Sequence, residues 1–336
     1  MNQWIHHPML FLNRSEVESL LNLDQLIECL APAMASLSAG NVSMPARGVV
    51  EIQENRGLLA SMPVYVPSSQ TLSTKLVTVY PDNERLGIPS HQAVVLVFDS
   101  KTGTPLAMMD GASITAIRTA AGSALATRLL ARPEAQVLSV LGTGVQARTH
   151  ARAITRVRQI REVRVWGRSQ QKIDALVKDL TLAPGVRVRA VPQLKEALAG
   201  AEIICACTHS AEPVVVGEWL EQGAHVNSVG LNAQGCEVDE AAVLKALVVV
   251  ESRDAALAPA PSGANDLLWP IQKGLMTRDH IHAEIGELVS GARPGRTSAV
   301  QITIYKSVGV AVQDAVAARL VLDAARARGV GKDIQL

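Results

Sequence analysis

Hydrophobic and polar positions follow different periods in different parts of this 336-residue chain. Apolar residues recur at helical spacing over 12–40, where Asn13 or Ser15 is the predicted N-cap, and a second long helix is predicted over 112–131. Between them, residues 43–99 carry short β-prone runs separated by turn residues, which is typical of an antiparallel sheet with helices beside it.

From residue 135 onward, short apolar runs alternate regularly with helical segments. This alternation predicts an α/β fold of the Rossmann type, a mostly parallel, doubly wound sheet with ligands at the carboxyl ends of its strands. A last helix, rich in small residues, is predicted over 308–328 and is expected to return to the first domain. The predicted strands of the parallel sheet are 135–141, 163–166, 186–188, 203–207, 225–229 and 247–250.

Composition narrows the classes of partner. Apolar residues make up 48% of the chain, aromatic residues 3%, and the formal net charge is +1. A chain with so little net charge and so few rings is not expected to bind nucleic acid or a membrane surface. The cysteines and histidines follow no disulfide or zinc-ligand spacing, so we expect no metal and a reducing, cytoplasmic location.

A glycine turn at the end of the first predicted parallel strand carries the first candidate chemistry. In the run GTGVQA (142–147), Gly142 permits the turn, and Gly144 lets the backbone approach a pyrophosphate. Thr143, Val145 and Gln146 belong to the same turn, where the first N–H groups of the following helix face the phosphates. Two glycines alone are weak evidence, but the strand–helix alternation around them favours a dinucleotide site.

The end of the second predicted strand indicates which dinucleotide binds. A unit that prefers NAD usually has an acidic residue there, whereas this chain has Arg168 and Ser169. A guanidinium and a hydroxyl can both bind a 2′-phosphate, and charge-assisted bonds contribute about 1.5–3 kcal/mol each. The sequence therefore predicts NADPH, with NADH as the alternative cofactor.

Five motifs together resemble one family, the ornithine cyclodeaminase/mu-crystallin family. The resemblance covers nearly the whole chain and implies a homodimer. It also implies a substrate-binding and dimerisation domain formed by residues 1–118 and 305–336, and an NAD(P)-binding Rossmann domain over 119–304. The motifs are TKLVTVYP (74–81), GIPSH (87–91), TAIRTAA (115–121), GTGVQA (142–147) and YKSVG (305–309).

The same resemblance implies site residues. Arg47, Lys75 and Arg118 match the residues that bind the substrate carboxylate, and Val308 is also placed at the substrate. Two guanidinium groups and one ammonium are chemically suited to a carboxylate. Lys75 and Arg118 are in addition expected to be catalytic. The further cofactor contacts that the resemblance implies are Ser90, Arg118, Thr208, Val229, Gly230 and Ser307.

One departure from the family pattern bears on the reaction. Ornithine cyclodeaminases carry an Asp after the fifth parallel strand, in a Gly-x-Asp-x-Pro-Gly-Lys-like run, whereas this chain has Asn232 in that place and lacks the Pro and the Lys. An amide cannot ionise, so it cannot act as the acid/base group that the amine of ornithine requires. We expect Asn232 instead to orient an imine N–H through its amide oxygen.

These observations predict an oxidoreductase of C=N bonds in proline metabolism. The expected reaction is the NADPH-dependent reduction of a small cyclic imino acid, Δ1-pyrroline-2-carboxylate or Δ1-piperideine-2-carboxylate, to L-proline or L-pipecolate. Lys75 or a bound water would supply the proton. Three alternatives stay open: an NAD-dependent ornithine cyclodeaminase, an alanine or N-alkyl amino acid dehydrogenase, and a non-catalytic NADPH-linked protein that binds a small ligand.

Overall fold

A computed structural model describes residues 8–55 and 57–335. They form two compact units, and the boundary between the units falls inside one long helix. The first unit contains the described residues through Arg118 together with those from Val310 onward, and the second contains Thr119–Gly309. Residues 305–309, which we expected in the first domain, therefore belong to the second unit.

The elements of the chain up to the long helix belong mainly to the first unit. The predicted helix over 12–40 is in fact two helices, because Asn13 and Asn22 each cap a separate N-terminus through their side-chain oxygens. In chain order these elements are β1 (Met9–Leu12), α1 (Arg14–Leu20), α2 (Leu23–Ser38), β2 (Gly48–Ile52), β3 (Gly57–Val66), β4 (Thr71–Val79), β5 (His91–Asp99), β6 (Pro105–Asp110) and α3 (Gly111–Leu130).

The second unit follows, and the chain then returns to the first unit. The second unit adds β7 (Val137–Leu141), α4 (Val145–Val157), β8 (Glu162–Trp166), α5 (Gln170–Asp179), β9 (Arg187–Ala190), α6 (Leu194–Leu198), β10 (Ile203–Ala206), β11 (His225–Ser228), α7 (Glu240–Lys245), β12 (Leu247–Val250), α8 (Arg253–Ala256), α9 (Asn265–Gln272), β13 (Ile281–Glu284), α10 (Ile285–Val289) and β14 (Thr303–Lys306). The returning segment forms α11 (Ala311–Arg328) and β15 (Lys332–Ile334).

A mixed sheet forms the centre of the first unit. Its strand order, within the described residues, is β15-β1-β6-β5-β4-β3-β2, and every pair is antiparallel except β1 with β6. Side chains along β3, β4 and β5 alternate between a buried and a more exposed position, as a sheet with one covered face requires. Helix α11 packs against these three strands and against α2. Side chains on the covered face of β4 therefore lie next to α11.

An all-parallel sheet forms the centre of the second unit and confirms the predicted fold class. Its order over the described residues is β13-β12-β14-β11-β10-β7-β8-β9. The chain starts at β7, builds β8 and β9 on one side, and then continues with β10 on the other, so the strand order reverses between β7 and β10. Strand β14, which ends with the first two residues of the YKSVG motif, lies between β11 and β12 and pairs with both.

Candidate functional site

Lys75 and Arg118, predicted to bind the substrate carboxylate, lie on either side of a buried carboxylate in the first unit. The Nζ of Lys75 is 2.8 Å from Oδ2 of Asp314, and the Nε of Arg118 donates to Oδ1 of the same residue at 3.0 Å. The Nη1 of Arg118 donates to Oε1 of Gln313 at 2.8 Å. Lys75 is 2% exposed, Arg118 5% and Asp314 2%. Two of the three predicted cations thus share one anion.

The period of each element brings these side chains together. Lys75 lies on the covered face of β4 with Ser73, two residues before it, because side chains two apart in a strand share a face. Asp314 lies in the first turn of α11 on the same side as Ala311 and Ala318, which are buried small residues three and four positions away. Helix and strand pack together, so the carboxylate meets the ammonium.

Some donors of the two cations remain unused. Besides Asp314, the Nζ of Lys75 reaches Oγ1 of Thr115 at 3.4 Å, and the Thr115 hydroxyl itself donates to the carbonyl of Gly111. An ammonium has three N–H groups and a guanidinium has five. In the described part of the chain, neither the third N–H of Lys75 nor Nη2 of Arg118 has an acceptor. These N–H groups can donate to the oxygens of a ligand carboxylate.

Arg47 and His91 complete the group. Arg47 is half-buried just before β2, and His91 is the first residue of β5. Burial, with the charges of Arg118 and Arg47, lowers the pKa of Lys75 to about 8 against the opposing effect of Asp314. Burial, with the charges of Lys75 and Arg118, lowers the pKa of His91 to about 4, so this imidazole is neutral at pH 7.

Arg47, Lys75, His91, Arg118 and Asp314 are called the Lys75 cluster below. The sequence prediction of three cations without a nearby carboxylate was incomplete, because it missed Asp314. Burial alone would raise the pKa of Asp314, but the charges of Arg118 and Lys75 outweigh it and hold the pKa below its usual value. The signal in the sequence was an acidic residue on the small-residue face of the last helix.

The glycine turn of the second unit has the geometry that a dinucleotide requires. Gly142 has φ +117°, which only glycine adopts readily, and an added Cβ would press against the carbonyl of Cys207. Gly144 is the exposed N-cap of α4, and a Cβ there would meet nothing within 4 Å. The first N–H groups of α4 precede its first internal bond, from Arg148 to Gly144, and Val145 is 66% exposed. The turn therefore fits a pyrophosphate.

Thr143 and Gln146 occupy the two sides of this turn. Thr143 packs beside Gly167 at the end of β8, where a Cβ on the glycine would lie 2.8 Å from the Thr143 methyl group. The backbone carbonyl of Gln146 accepts from Nδ1 of His150 inside α4. Among the described residues, the buried Oε1 of Gln146 has no hydrogen-bond partner. Its side chain is thus a candidate to contact a ligand.

Arg168 and Ser169 follow β8 at the same edge of the parallel sheet. Arg168 is exposed, and no partner for its guanidinium lies within the described ranges. The Ser169 oxygen accepts the N–H of Lys172 at 3.4 Å as the N-cap of α5, which leaves its O–H free to donate. An unpaired guanidinium beside a helix N-terminus suits a phosphate group.

Thr208, Val229 and Gly230 follow β10 and β11, whose last residues are level with those of β7 and β14. One buried side chain, Glu237, binds two of these three. Its Oε1 accepts the N–H of Thr208 at 2.6 Å and the Thr208 hydroxyl at 2.8 Å, and its Oε2 accepts the N–H of Gly230 at 2.8 Å. The Thr208 hydroxyl also accepts the N–H of Ser210 at 3.3 Å, and its own proton is committed to Glu237, so it is not available to donate to a cofactor.

Glu237 belongs to a second group of buried charges. Lys306 at the end of β14 donates to Oγ of Ser228 at 3.0 Å and to the carbonyl of Gly230 at 2.6 Å, and it lies 2.8 Å from Oδ2 of Asp266. Burial raises the pKa of Glu237 against the opposing charge of Lys306. We call Glu237, Asp266 and Lys306 the Lys306 cluster. Sequence analysis missed it, because the three residues are far apart in the chain.

Ser307 and Val308 are held by another buried carboxylate. The Ser307 hydroxyl donates to Oε1 of Glu251 at 2.9 Å, and the N–H groups of Val308 and Gly309 donate to Oε2. The N–H of Ser307 donates to the carbonyl of Ser228. The N–H and O–H donors of Ser307 are therefore both engaged within the second unit, and its side chain is left out of the cofactor contacts proposed below.

Asn232 has a local role that the sequence did not indicate. Its amide oxygen accepts the N–H of Gln234 at 2.9 Å, and its amide nitrogen donates to the carbonyl of His209 at 3.2 Å. Such bonds fix a turn. The expectation that the amide oxygen orients an imine is not supported by this geometry, and Asn232 is left out of the proposal below.

Ser90, the predicted cofactor contact in the first unit, lies directly before His91. Its carbonyl accepts the N–H of Tyr80 at 2.8 Å, which closes the segment between β4 and β5.

No helix over 8–55 and 57–335 is both long and apolar enough to span a membrane. Over the same ranges, no three or more His, Cys, Asp or Glu side chains are grouped so that they could hold a metal ion.

Comparisons with known proteins find relatives that match nearly the whole chain. Ketimine reductase mu-crystallin of Mus musculus is 40% identical over 318 residues, which are 93% of this chain and 96% of that protein. The structure of Thermococcus litoralis Δ1-pyrroline-2-carboxylate reductase in complex with NADH and L-proline matches with a TM-score of 0.93 and 36% identity, over 97% of this chain and 100% of that one.

An archaeal alanine dehydrogenase dimer with bound NAD matches with a TM-score of 0.89 and 30% identity, over 98% of this chain and 99% of that one. The sequence profile of one family matches residues 8–329. The chain belongs to the ornithine cyclodeaminase/mu-crystallin family.

Proposed function

We propose that this protein is an NADPH-dependent ketimine reductase that converts Δ1-pyrroline-2-carboxylate and Δ1-piperideine-2-carboxylate to L-proline and L-pipecolate. The observation that carries the proposal is the pair of buried cations, Lys75 and Arg118, with donors left over for a ligand. Relatives named for ketimine and pyrroline-2-carboxylate reduction support the same substrate class.

Binding of the substrate carboxylate is the first task of the chain's own residues. Nη2 of Arg118 and the third N–H of Lys75 would donate to it, and the charge of Arg47 adds to the attraction. A carboxylate next to the imine carbon fixes the position of that carbon once it is bound. Holding the reacting atoms in one geometry contributes a large part of such a rate enhancement.

Reduction also requires a proton. NADPH, when bound, supplies a hydride to the imine carbon. The imine nitrogen takes one proton, so the C=N bond becomes CH–NH. With a pKa of about 8, Lys75 is a reasonable proton source near neutral pH, and a water bound beside it is the other candidate. His91, neutral at pH 7, adds no charge that would repel a protonated imine.

The residues proposed to hold the cofactor lie at the carboxyl edge of the parallel sheet. Gly142, Gly144 and the first turn of α4 would hold the pyrophosphate. Arg168 would bind the 2′-phosphate, which is why we propose NADPH as the preferred cofactor. The named structures of relatives contain NADH and NAD, so the preference is a property to be tested on this chain.

The chain is less suited to cyclodeamination. Asn232 stands where cyclodeaminases have an Asp, and it holds a turn. Asp314 is no substitute, because its carboxylate is buried between Lys75 and Arg118 and its pKa is lowered, so it stays ionised. A carboxylate held in this way does not act readily as a proton donor.

The decisive experiment is a spectrophotometric assay of NADPH oxidation. The substrates are the two cyclic ketimines, with pyruvate plus ammonia, pyruvate plus methylamine, and ornithine as the alternatives. We expect oxidation with the cyclic ketimines at a kcat/KM well above that of the open-chain mixtures. Release of ammonia from ornithine without added reductant, or turnover of pyruvate mixtures alone, would refute the proposal.

We also propose that the protein is a homodimer that pairs through the outer face of the mixed sheet. That face is apolar although α11 covers only the other one, and Phe11, Leu59 and Val94 are each more than a third exposed. Neighbouring outward positions are also apolar: Leu72, Leu76, Leu96, Phe98 and Met108. Light scattering on the wild type and on Val94→Arg tests this. A dimer that dissociates in the variant is expected, and a wild-type monomer would refute it.

A further inference from the structure

We propose that Asp314 is a positioning residue for substrate binding, which holds Lys75 and Arg118 so that their remaining donors receive the substrate carboxylate. This inference rests on the proposed function and extends it. Asp314 touches neither substrate nor cofactor in the proposal, and it acts through the two cations that do.

The contacts of Asp314 fix one donor on each cation. Oδ2 faces the Nζ of Lys75 at 2.8 Å, and Oδ1 accepts from the Nε of Arg118 at 3.0 Å. Thr115 takes a second donor of Lys75, and Gln313 takes the Nη1 of Arg118. Each bond that the protein makes removes one direction in which the cation can point. Within the described residues, what remains is one N–H on Lys75 and, on Arg118, the second N–H of Nη1 and both N–H groups of Nη2.

Electrostatics give Asp314 a second effect. The charged and titratable groups that face Lys75 are Arg47 before β2, His91 on β5, Arg118 on α3 and Asp314 on α11. His91 is neutral at pH 7 and the two arginines are positive, so Asp314 provides the negative charge among these neighbours. Its charge opposes the loss of the Lys75 proton. Without it, Lys75 would be a neutral amine over a wider pH range and could not attract a carboxylate.

A purely structural role for Asp314 makes a different prediction. If the carboxylate only stabilised the packing of α11 on the mixed sheet, a folded variant without it would have a lower free energy of unfolding. The pH dependence of its activity would match that of the wild type. The pH profile therefore separates positioning from stabilisation.

The experiment compares wild type with Asp314→Asn in NADPH oxidation with Δ1-pyrroline-2-carboxylate across pH. In the wild type, we expect kcat/KM to fall as the pH rises through about 8, where Lys75 loses its proton. In Asp314→Asn, we expect this fall to move about one pH unit or more lower, and KM for the ketimine to rise more than kcat changes. A folded variant whose alkaline limb coincides with that of the wild type would overturn the proposal.

A second variant decides the case if Asp314→Asn does not fold. Asp314→Glu keeps the charge but lengthens the side chain, which displaces the carboxylate from Lys75 and Arg118. We expect its alkaline limb to stay near that of the wild type, with a raised KM for the ketimine. A wild-type KM in Asp314→Glu would overturn the positioning role. Asp323→Asn is the matched control, since Asp323 is exposed on the same helix and pairs only with Arg319 in the described structure.

The outcomes for the wild type distinguish the two proposals. A wild type that does not oxidise NADPH with the cyclic ketimines at any pH refutes the proposed function, and the role of Asp314 falls with it. An active wild type with an unmoved limb in folded Asp314→Asn refutes the role of Asp314 alone.

Discussion

Each of the two units contains a buried lysine at a strand position, and the two lysines differ in how completely their donors are used. Lys306 on β14 has three acceptors for its three N–H groups: Asp266, Ser228 and the carbonyl of Gly230. Lys75 on β4 has Asp314 and, at 3.4 Å, Thr115 in the described part of the chain. Both side chains are at most 2% exposed.

This difference distinguishes a scaffold from a candidate binding site. A buried charge is costly unless it is paired and hydrogen-bonded, so a saturated lysine such as Lys306 is explained by the structure it joins. Over residues 8–55 and 57–335, Lys75 keeps one donor unused, and its neighbour Arg118 keeps Nη2 unused. Leaving such donors unpaired inside a protein costs stability, and a ligand anion removes that cost. This difference supports the proposal that the substrate carboxylate binds at the Lys75 cluster.

Loss of the saturated lysine should have the largest effect on stability. Lys306→Met leaves Asp266 and Glu237 buried without their cation, and we expect the free energy of unfolding to fall by about 3–5 kcal/mol. Denaturant unfolding measures it. Lys273→Met is the control, since that ammonium is exposed beside Glu240, and its loss should cost less than about 1 kcal/mol. Equal stabilities of the two variants would contradict the scaffold role.

Loss of a predicted substrate cation should instead change activity. Arg118→Ala removes the unused donor, and we expect kcat/KM for the ketimine to fall by roughly a hundredfold, which corresponds to about 2.7 kcal/mol. Steady-state kinetics measure this loss, and titration of NADPH fluorescence should show little change in cofactor affinity. Arg128→Ala, ten residues later on α3, is the control for the helix. Wild-type turnover in Arg118→Ala would remove the proposed carboxylate anchor.

Arg168, an exposed cation without a partner among the described residues, extends the comparison to the cofactor. Arg168→Asp should lower the ratio of kcat/KM with NADPH to that with NADH by roughly thirtyfold, or about 2 kcal/mol, because a carboxylate repels the 2′-phosphate. The two ratios come from the same assay. Arg161→Asp, exposed before the start of β8, changes the charge equally at the other end of that strand and should leave the ratio unchanged. Equal shifts in both variants would rule out a specific phosphate contact.

The smallest effect is expected for a substitution of Glu237, which tests whether the Lys306 cluster supports the loops at the carboxyl edge of the parallel sheet. Glu237→Gln keeps the shape of the side chain but turns one acceptor into a donor that faces the N–H of Thr208 or of Gly230. We expect a loss of about 1–2 kcal/mol in the free energy of unfolding and a weaker affinity for NADPH. Calorimetry and fluorescence titration measure the two. Glu240→Gln, at the surface beside Lys273, should change neither.

Strand–helix alternation and the glycine turn were sufficient to predict the parallel sheet, because period and turn chemistry are local properties. They were not sufficient for its strand order. The segment with Lys306 pairs between β11 and β12, although it lies more than 50 residues after β12 in sequence. Only the pairing of distant strands decides that position. Because of this pairing, residues 305–309 belong to the second unit and not, as predicted, to the first domain.

The candidate site was predicted through single residues, and its contacts were not. Motif resemblance indicated Lys75 and Arg118, and the fold brings both to Asp314. Sequence alone treated Thr208 and Ser307 as free polar contacts, whereas the structure ties them to Glu237 and Glu251. The residue type shows that a hydroxyl is present but not whether it has a hydrogen-bond partner inside the protein. Such partners cannot be predicted from the local sequence pattern.

The sequence by itself determined the α/β class and the dinucleotide turn at Gly142, because both depend on residue type and short-range spacing. The cations proposed to bind a carboxylate were indicated by the resemblance to one family. Only the tertiary structure decided which charges are paired. Asp314 lies 239 positions after Lys75 and 196 after Arg118, and its contact with both depends on how α11 packs on the mixed sheet. Burial makes that pairing matter, since a charge withdrawn from water interacts far more strongly with its nearest neighbours.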